Sequence, residues 1–434
     1  MENILKKEVI IDNTRLKRIV IKNMILLLTG QLVSLLGSSV YTFAMGLYIL
    51  NSTGSGLSFS LTIALGTIPR VLFGPISGVV ADRVDRKKMI VLLDLLSGVV
   101  VIGLFALSVF DDLRLIYVYV ASFLLATCGT FFQTPLEASI PNLVDEKRLM
   151  KISSLSQAIT SMSTISGPFI GGIVFALIDI KLFLLFNGLS FIFSGISTIF
   201  VDFKAKEKIY GIVEKSKNDT NAENNFFEDF KEGIRYVLSK KWLLILGCFS
   251  VFFNMFYIIG ISVSVPYIAV EVWGISSKQL GILNMMTPIG MILGSVVIFL
   301  LPEGKNNYKR ILSCLLISSL GILSTGILTC DKIITLDNNT YLMILIPIYI
   351  VLAISSVSFT IPLNVTLQKH VPNEMLGRVR SVFLTFVMGL SPLGAIIGGA
   401  LLDIVYPWLL PMISGIILVI ITLIASRVKA LKAI

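Results

Sequence analysis

The chain has 434 residues, 55% of them hydrophobic and 14% charged, where a soluble domain carries roughly 25% charged residues. That composition excludes an ordinary soluble enzyme and puts most of the chain in lipid. The net charge of +10 would suggest a nucleic-acid partner in a soluble protein; here the basic residues collect in loops on one side of the hydrophobic runs, and no nucleic acid is expected.

A bilayer core of about 30 Å takes about 20 apolar residues per helix. Twelve runs qualify, approximately 24–50, 58–81, 89–110, 115–136, 153–178, 182–202, 242–270, 278–301, 311–330, 341–363, 379–402 and 408–426. Ahead of them, residues 1–23 space Ile4, Ile11, Leu16 and Val20 for one helical face among basic residues, which predicts an arm lying along the inner membrane surface. The arm is too polar for a cleavable signal peptide, and the apolar run after it is too long to be one.

The second run leads into Gly74–Lys88, GPISGVVADRVDRKK. Gly74 and Gly78 make a small-xxx-small face that admits a neighbouring helix. The loop after them packs Arg83, Arg86, Lys87 and Lys88 around Asp82 and Asp85. Charges within spans are costly and usually functional, so Arg70 in the second run and Asp94 in the third are candidates for ion coupling. Asp94 lies about 9 Å beyond Lys88 at ~1.5 Å per residue. Arg70 either reaches Asp94 to form a buried pair or faces a water-filled cavity while Asp94 meets interfacial water. Glu137, at the end of the fourth run, is a weaker coupling candidate and otherwise a loop charge. The fifth run carries Gly167, Pro168 and Gly171.

Residues 204–241 form the longest polar interruption. Their middle, KSKNDTNAENN, is linker-like, and Phe226, Phe227, Phe230, Ile234, Val237 and Leu238 are spaced for an amphipathic helix. The eighth run carries Gly290 and Gly294, and the eleventh carries Pro392, Gly394 and Gly398. Cys128, Cys248, Cys314 and Cys330 show no C-x-x-C spacing, which excludes a zinc cluster. His370, the single histidine, lacks companions for a metal site. Asn51 and Asn338 begin glycosylation triplets, which matter only in a secretory pathway.

Lys and Arg set orientation. With the N-terminus inside, every one of them falls on the inner side except Arg114, Lys181, Lys278 and Lys332, and Arg70 within a span. Both termini are therefore expected in the cytoplasm. The parts are a cytosolic arm (1–23), a six-helix half (24–203), a cytosolic linker with its amphipathic helix (204–241), a second six-helix half (242–427) and a cytosolic tail (428–434). The halves repeat: an offset of 227 aligns Pro135 with Pro362, Gly167 with Gly394, Gly171 with Gly398 and Gly172 with Gly399. An even number of spans separates the copies, so they run parallel. The fold class is an all-α membrane protein of twelve transmembrane helices, in two six-helix halves related by a parallel pseudo-two-fold.

Gly78, Asp82, Arg83, Arg86 and Lys87 resemble the loop 2–3 signature of the major facilitator superfamily. Gln31–Ser34 (QLVS), Pro135–Val144 (PLEASIPNLV), Gly167-Pro168 with Gly171-Gly172, Glu232-Gly233 and Val371–Arg378 (VPNEMLGR) extend the resemblance over nearly the whole chain. The likeness is to the drug-exporting branch containing macrolide efflux proteins and bacterial siderophore exporters. It implies a multi-pass monomer in a bacterial plasma membrane, with lipid, a small-molecule substrate and protons as partners and no cofactor. It implies that Asp82 latches onto the start of span eleven at Gly377, Arg378 and Arg380, with Arg86 holding the carboxylate. It also implies that the glycines of spans two, five, eight and eleven line the interface between halves; static packing within each half is the alternative. Pro168 and Pro392 would each free a carbonyl and permit bending. Cavity candidates are Gln31, Ser34, Tyr41, Gln133, Asn187, Asn254, Tyr257, Asn284 and Asn364, each of which could instead serve helix packing. Span four lacks the arginine that many drug antiporters of the superfamily carry there, so proton coupling rests on the family rather than on residues.

No G-x-x-x-x-G-K-[ST] loop is present, so ATP hydrolysis by this chain is excluded and no enzyme activity is expected. The leading reading is a secondary exporter of amphipathic, macrolide-type compounds working by alternating access and proton antiport, a multidrug type of efflux. A siderophore or metabolite exporter of the same fold is the second. A scaffold or sensor that has lost transport is the third, against which the intact signature loop and glycine pairs argue.

Overall fold

The computed structural model describes residues 2–111, 113–143, 146–203, 225–300, 307–330, 337–372 and 375–428. Among these the chain is helical and contains no strand. Twelve helices are long and apolar enough to cross a membrane: Ile21–Thr53, Gly56–Gly78, Arg86–Phe110, Leu115–Ile140, Ile152–Leu177, Ile180–Ile199, Lys241–Val272, Ser277–Ile298, Tyr308–Leu328, Asn338–Leu367, Arg378–Leu402 and Leu409–Arg427, below called spans one to twelve. Large apolar side chains such as Phe110, Phe193, Leu300 and Ile404 stay exposed, as lipid-facing positions must.

Local chemistry sets the boundaries. Asp85, Asp179 and Asp337 cap the N-termini of spans three, six and ten, accepting from the backbone N–H of Lys88, Lys181 and Thr340 respectively. Gly54 and Gly274, at φ +60° and +62°, make the left-handed turns after spans one and seven that a side chain would resist. The expected arm is helical and continuous with span one: one helix runs from Glu2 to Thr53. The sequence holds no glycine or proline before Gly30 to interrupt it. The amphipathic linker helix forms over Asn225–Ser239.

The chain divides into two compact units that do not follow the linker. The first comprises Met1–Tyr41, Leu72–Gly167 and Ile178–Ala222. Spans three and six pack along one another because Gly98 and Gly188 leave no side chain between them: a Cβ on Gly98 would lie 2.6 Å from Ile192 Cγ1. Leu27, Ile90, Phe132, Leu136, Ile140 and Val201 form the core near the signature loop.

The second unit takes Thr42–Val71 and Pro168–Leu177 together with Glu223–Ile434. The end of span one, the start of span two and the end of span five thus cluster with the C-terminal half. Here spans eight, nine, ten and twelve pack in pairs over a core including Trp273, Tyr341, Tyr349 and Leu418. Trp273 stacks on Tyr341 with ring centroids 4.0 Å apart.

Two spans in this unit are irregular. Span seven widens into π-helical turns at Ile258–Val263 and Ile268–Val272, either side of Pro266. Proline has no N–H to donate and crowds the preceding turn, and the wider turn accommodates it; within this stretch Ser264 Oγ donates to the Ile259 carbonyl at 2.6 Å. Span eleven breaks into Leu376–Met388 and Ser391–Leu402, with Pro392 just past the break. Span five, by contrast, runs through Pro168 as one helix.

Candidate functional site: a buried carboxyl and a basic clamp

Asp94 is 2% exposed, held in the first unit among spans one, three and six. Ser34 Oγ lies 2.7 Å from its Oδ1, and Ser194 Oγ lies 2.7 Å from its Oδ2. The hydroxyls are 2.8 Å apart, and Ser194 Oγ is also 3.0 Å from the Gly30 carbonyl. Each hydroxyl has one proton to donate. With Asp94 ionised, both donate to it. With Asp94 protonated, its O–H donates to Ser194, Ser194 turns to Gly30 O, and Ser34 still donates to Oδ1. Every proton has an acceptor in both states without heavy-atom movement, an arrangement suited to a group that gains and loses a proton inside the membrane. The Asp94–Arg70 pair is not formed: both Asp94 oxygens are occupied by hydroxyls, and Arg70 is exposed with no ion pair among the described residues.

The signature loop is a clamp. Arg86 donates to the carbonyls of Ala81 at 3.3 Å and Ala138 at 2.8 Å. Lys87 Nζ reaches the carbonyls of Ile199 at 2.6 Å and Val201 at 2.8 Å. A helix leaves its last carbonyls without intrahelical partners; Arg86 satisfies one at the end of the helix Gly56–Arg83 and Lys87 those at and just past the end of span six, while the bond to Ala138 ties the loop to the side of span four's helix. Asn23 completes the end, exchanging two hydrogen bonds with the backbone of Asp202. Arg83 is exposed. The side chain of Asp82 lies outside the described residues; Gly377, its expected partner, lies in the helix Leu376–Met388. Arg378 pairs with Glu232 of the linker helix at 2.6 Å.

The family model of the Major Facilitator Superfamily matches residues 27–394. The chain belongs to the Major Facilitator Superfamily. Among its relatives, macrolide efflux protein A of Streptococcus pyogenes is 23% identical over 406 residues, covering 93% of this chain and 95% of that protein. BacE of Bacillus subtilis, assigned as a bacilysin exporter, is 25% identical over 369 residues, covering 82% of each. A bacterial homologue of the iron transporter ferroportin, solved in an inward-facing state, superposes with a TM-score of 0.70 at 12% identity, over 94% of this chain and 99% of that one; that likeness is one of fold.

In this facilitator several expected cavity residues make hydrogen bonds within or between helices. Gln31 is 1% exposed and joins spans one and five, accepting from Ser156 Oγ at 2.9 Å and donating to Thr160 Oγ1 at 3.3 Å. Asn187, also buried, donates to Gly37 O at 3.3 Å. Ser34 serves Asp94, and Tyr41 is buried with its hydroxyl unpaired among the described residues. Gln133 donates to exposed Glu137 at 2.6 Å. In the second unit Asn254 accepts from Ser391 at 2.5 Å, and Asn284 bonds back to Leu280 O. Tyr257, Asn284 and Asn364 remain half-buried. Polar side chains in lipid find helix partners because the alternative is an unsatisfied group, which is why the more polar candidates turned inward.

The expected interface glycines also sort differently. Gly290 and Gly294 seat span ten, with Cβ positions 2.6 Å from Ile350 O and 3.0 Å from Ile354 Cα; Gly394 and Gly398 seat Met255 and Ile259 of span seven. Gly167 abuts Ser39 of span one, whereas Gly74 and Gly78 have nothing within 4 Å. The close approaches between spans two and eleven, and between five and eight, use other glycines. A Cβ on Gly56 would meet Leu402 Cβ at 2.6 Å, one on Gly399 would fall on Ser60 Oγ, and one on Gly172 would lie 2.7 Å from Ser277 O. Ser194 carried no sequence signal: a lone serine in a span is common.

Proposed function

We propose that this facilitator is a secondary exporter of amphipathic, macrolide-type compounds, working by alternating access and proton antiport. The observation that carries the coupling is the Asp94–Ser34–Ser194 arrangement, which is hydrogen-bonded in either protonation state. The substrate class rests on the macrolide efflux relatives and on the nearly uncharged polar and aromatic side chains of Asn254, Tyr257, Asn284 and Asn364, which suit bulky apolar ligands with few polar contacts. The bilayer is a bacterial plasma membrane with both termini cytoplasmic, following the one-sided distribution of Lys and Arg. The inner gate is the Asp82 latch on the first turn of span eleven, where a carboxylate is favoured by the helix N-terminus. Glu232 holds Arg378 of that turn in the present arrangement.

Relatives assigned as bacilysin exporters favour a second reading, export of a small metabolite by the same cycle. Purified protein in vesicles containing a pH-sensitive dye distinguishes the cases. Adding erythromycin should move protons in wild type and not in Asp94→Asn. Transport of erythromycin without any proton movement would remove antiport; no transport of it at all would favour the metabolite reading.

A further inference from the structure

Spans three, six and ten are capped by an aspartate from their own preceding turn; span two has Ser55 there, accepting from the Ser58 N–H at 3.2 Å, and a second cap from a distant residue. Its N-terminus receives the carboxylate of Asp403, the residue that ends span eleven. Oδ1 accepts from the Gly56 N–H at 2.6 Å, and Oδ2 accepts from Ser55 Oγ at 2.8 Å and the Leu57 N–H at 3.1 Å. All of these atoms belong to the second unit. A helix N-terminus presents unsatisfied N–H groups and a positive dipole end, so the carboxylate is well matched, and the covalent chain does not require it to stay there.

Directly beneath this contact the two helices touch backbone to backbone. A Cβ on Gly399 would lie 2.5 Å from Gly56 O, and one on Gly56 would lie 3.0 Å from Gly399 O. Ser60 is wholly buried there. Leu402 sits against Gly56 and Ser60 against Gly399, short side chains on a close helix contact, and the carboxylate adds a directional hold at its edge. Gly172 and Gly281 form a like contact between spans five and eight, with a Gly281 Cβ position 3.3 Å from Pro168 O.

We propose that Asp403 is the outer latch of the transport cycle: its carboxylate, docked on the N-terminus of span two, holds the exterior shut, and its release opens it. The sequence places the expected inner latch on the same two helices with the roles exchanged, Asp82 at the end of span two facing the start of span eleven. Each helix then offers a carboxylate at its far end to the N-terminus of the other, one at each membrane face, and the cycle exchanges one docking for the other.

The test places a probe under the latch. In a background with the four native cysteines changed to serine, Ser60→Cys is labelled by a membrane-impermeant maleimide in right-side-out vesicles. Asp403→Ala should raise the labelling rate about 5-fold or more, the order expected for losing charge-assisted hydrogen bonds that weight one state. Asp111→Ala, which removes an exposed carboxylate paired with Arg114 elsewhere, should leave it unchanged. An unchanged rate in Asp403→Ala, or an equal rise in both variants, overturns the latch. In a second arm, Ser55→Cys/Asp403→Cys is oxidised to a disulfide. Erythromycin transport should stop and return on reduction; undiminished transport while cross-linked means a static cap and overturns the proposal. The proposal rests on the exporter reading only in this second arm. The labelling needs no substrate, so a failed latch and a failed substrate assignment give different results.

Discussion

Glu232 and Arg378 pair at 2.6 Å, joining the linker helix to the first turn of span eleven although 146 positions separate them. Beside the pair the helices meet at Gly233, whose Cβ position is 3.0 Å from Val382 Cγ2 and 3.2 Å from Arg378 O. Both charges are partly exposed, so the pair itself contributes only about 0–1 kcal/mol. Glu232→Gln should therefore lower the melting temperature in detergent barely, whereas Gly233→Leu should prise the linker helix away and accelerate tryptic cleavage near Lys231 and Arg235. Equal proteolysis of the two variants would mean that the ion pair, not the close packing, holds the helix.

Asp94 makes a sharper prediction. Asparagine resembles the protonated carboxyl: its amide donates to Ser194 while its oxygen accepts from Ser34. Asp94→Asn should keep thermal stability within about 1 kcal/mol and lose proton movement. Asp94→Ala removes both carboxyl hydrogen bonds, leaving the hydroxyls only each other and the Gly30 carbonyl, and should cost about 1–3 kcal/mol. Proton movement at the wild-type rate in Asp94→Asn would show that another group carries the proton.

The clamp separates structure from gating within one loop. Lys87→Ala strips the cation from two carbonyls and should destabilise the protein by about 1.5–3 kcal/mol, seen as a lower melting temperature and reduced protein level. Asp82→Asn should leave level and melting unchanged and abolish efflux. Full efflux by Asp82→Asn would remove the inner latch.

The glycines rank themselves by what a methyl would meet. Gly399→Ala drives a carbon into Ser60 and the backbone of Gly56, and should slow transport and raise labelling of Ser60→Cys. Gly398→Ala, facing Ile259 no closer than 3.3 Å, should be tolerated. Gly74→Ala and Gly78→Ala meet nothing here and should not change melting; a transport defect in either would mean that this face is used in another conformation.

Span number, the polarity of each loop and the family were legible in the residues because they are one-dimensional properties. Burial in lipid demands runs of about 20 apolar residues, the basic residues mark one side, and a short signature loop forces two neighbours to be antiparallel. Which face of each helix does what was not legible. Successive helical residues point about 100° apart, so Gly398 and Gly399 share every sequence feature yet touch different helices, and only the packed arrangement distinguishes them. The same holds for the partners of Asp94, which lie in spans one and six, and for Asp403, whose carboxylate meets groups about 350 positions away because the fold, not the chain, brings a helix N-terminus with N–H groups to satisfy beside it.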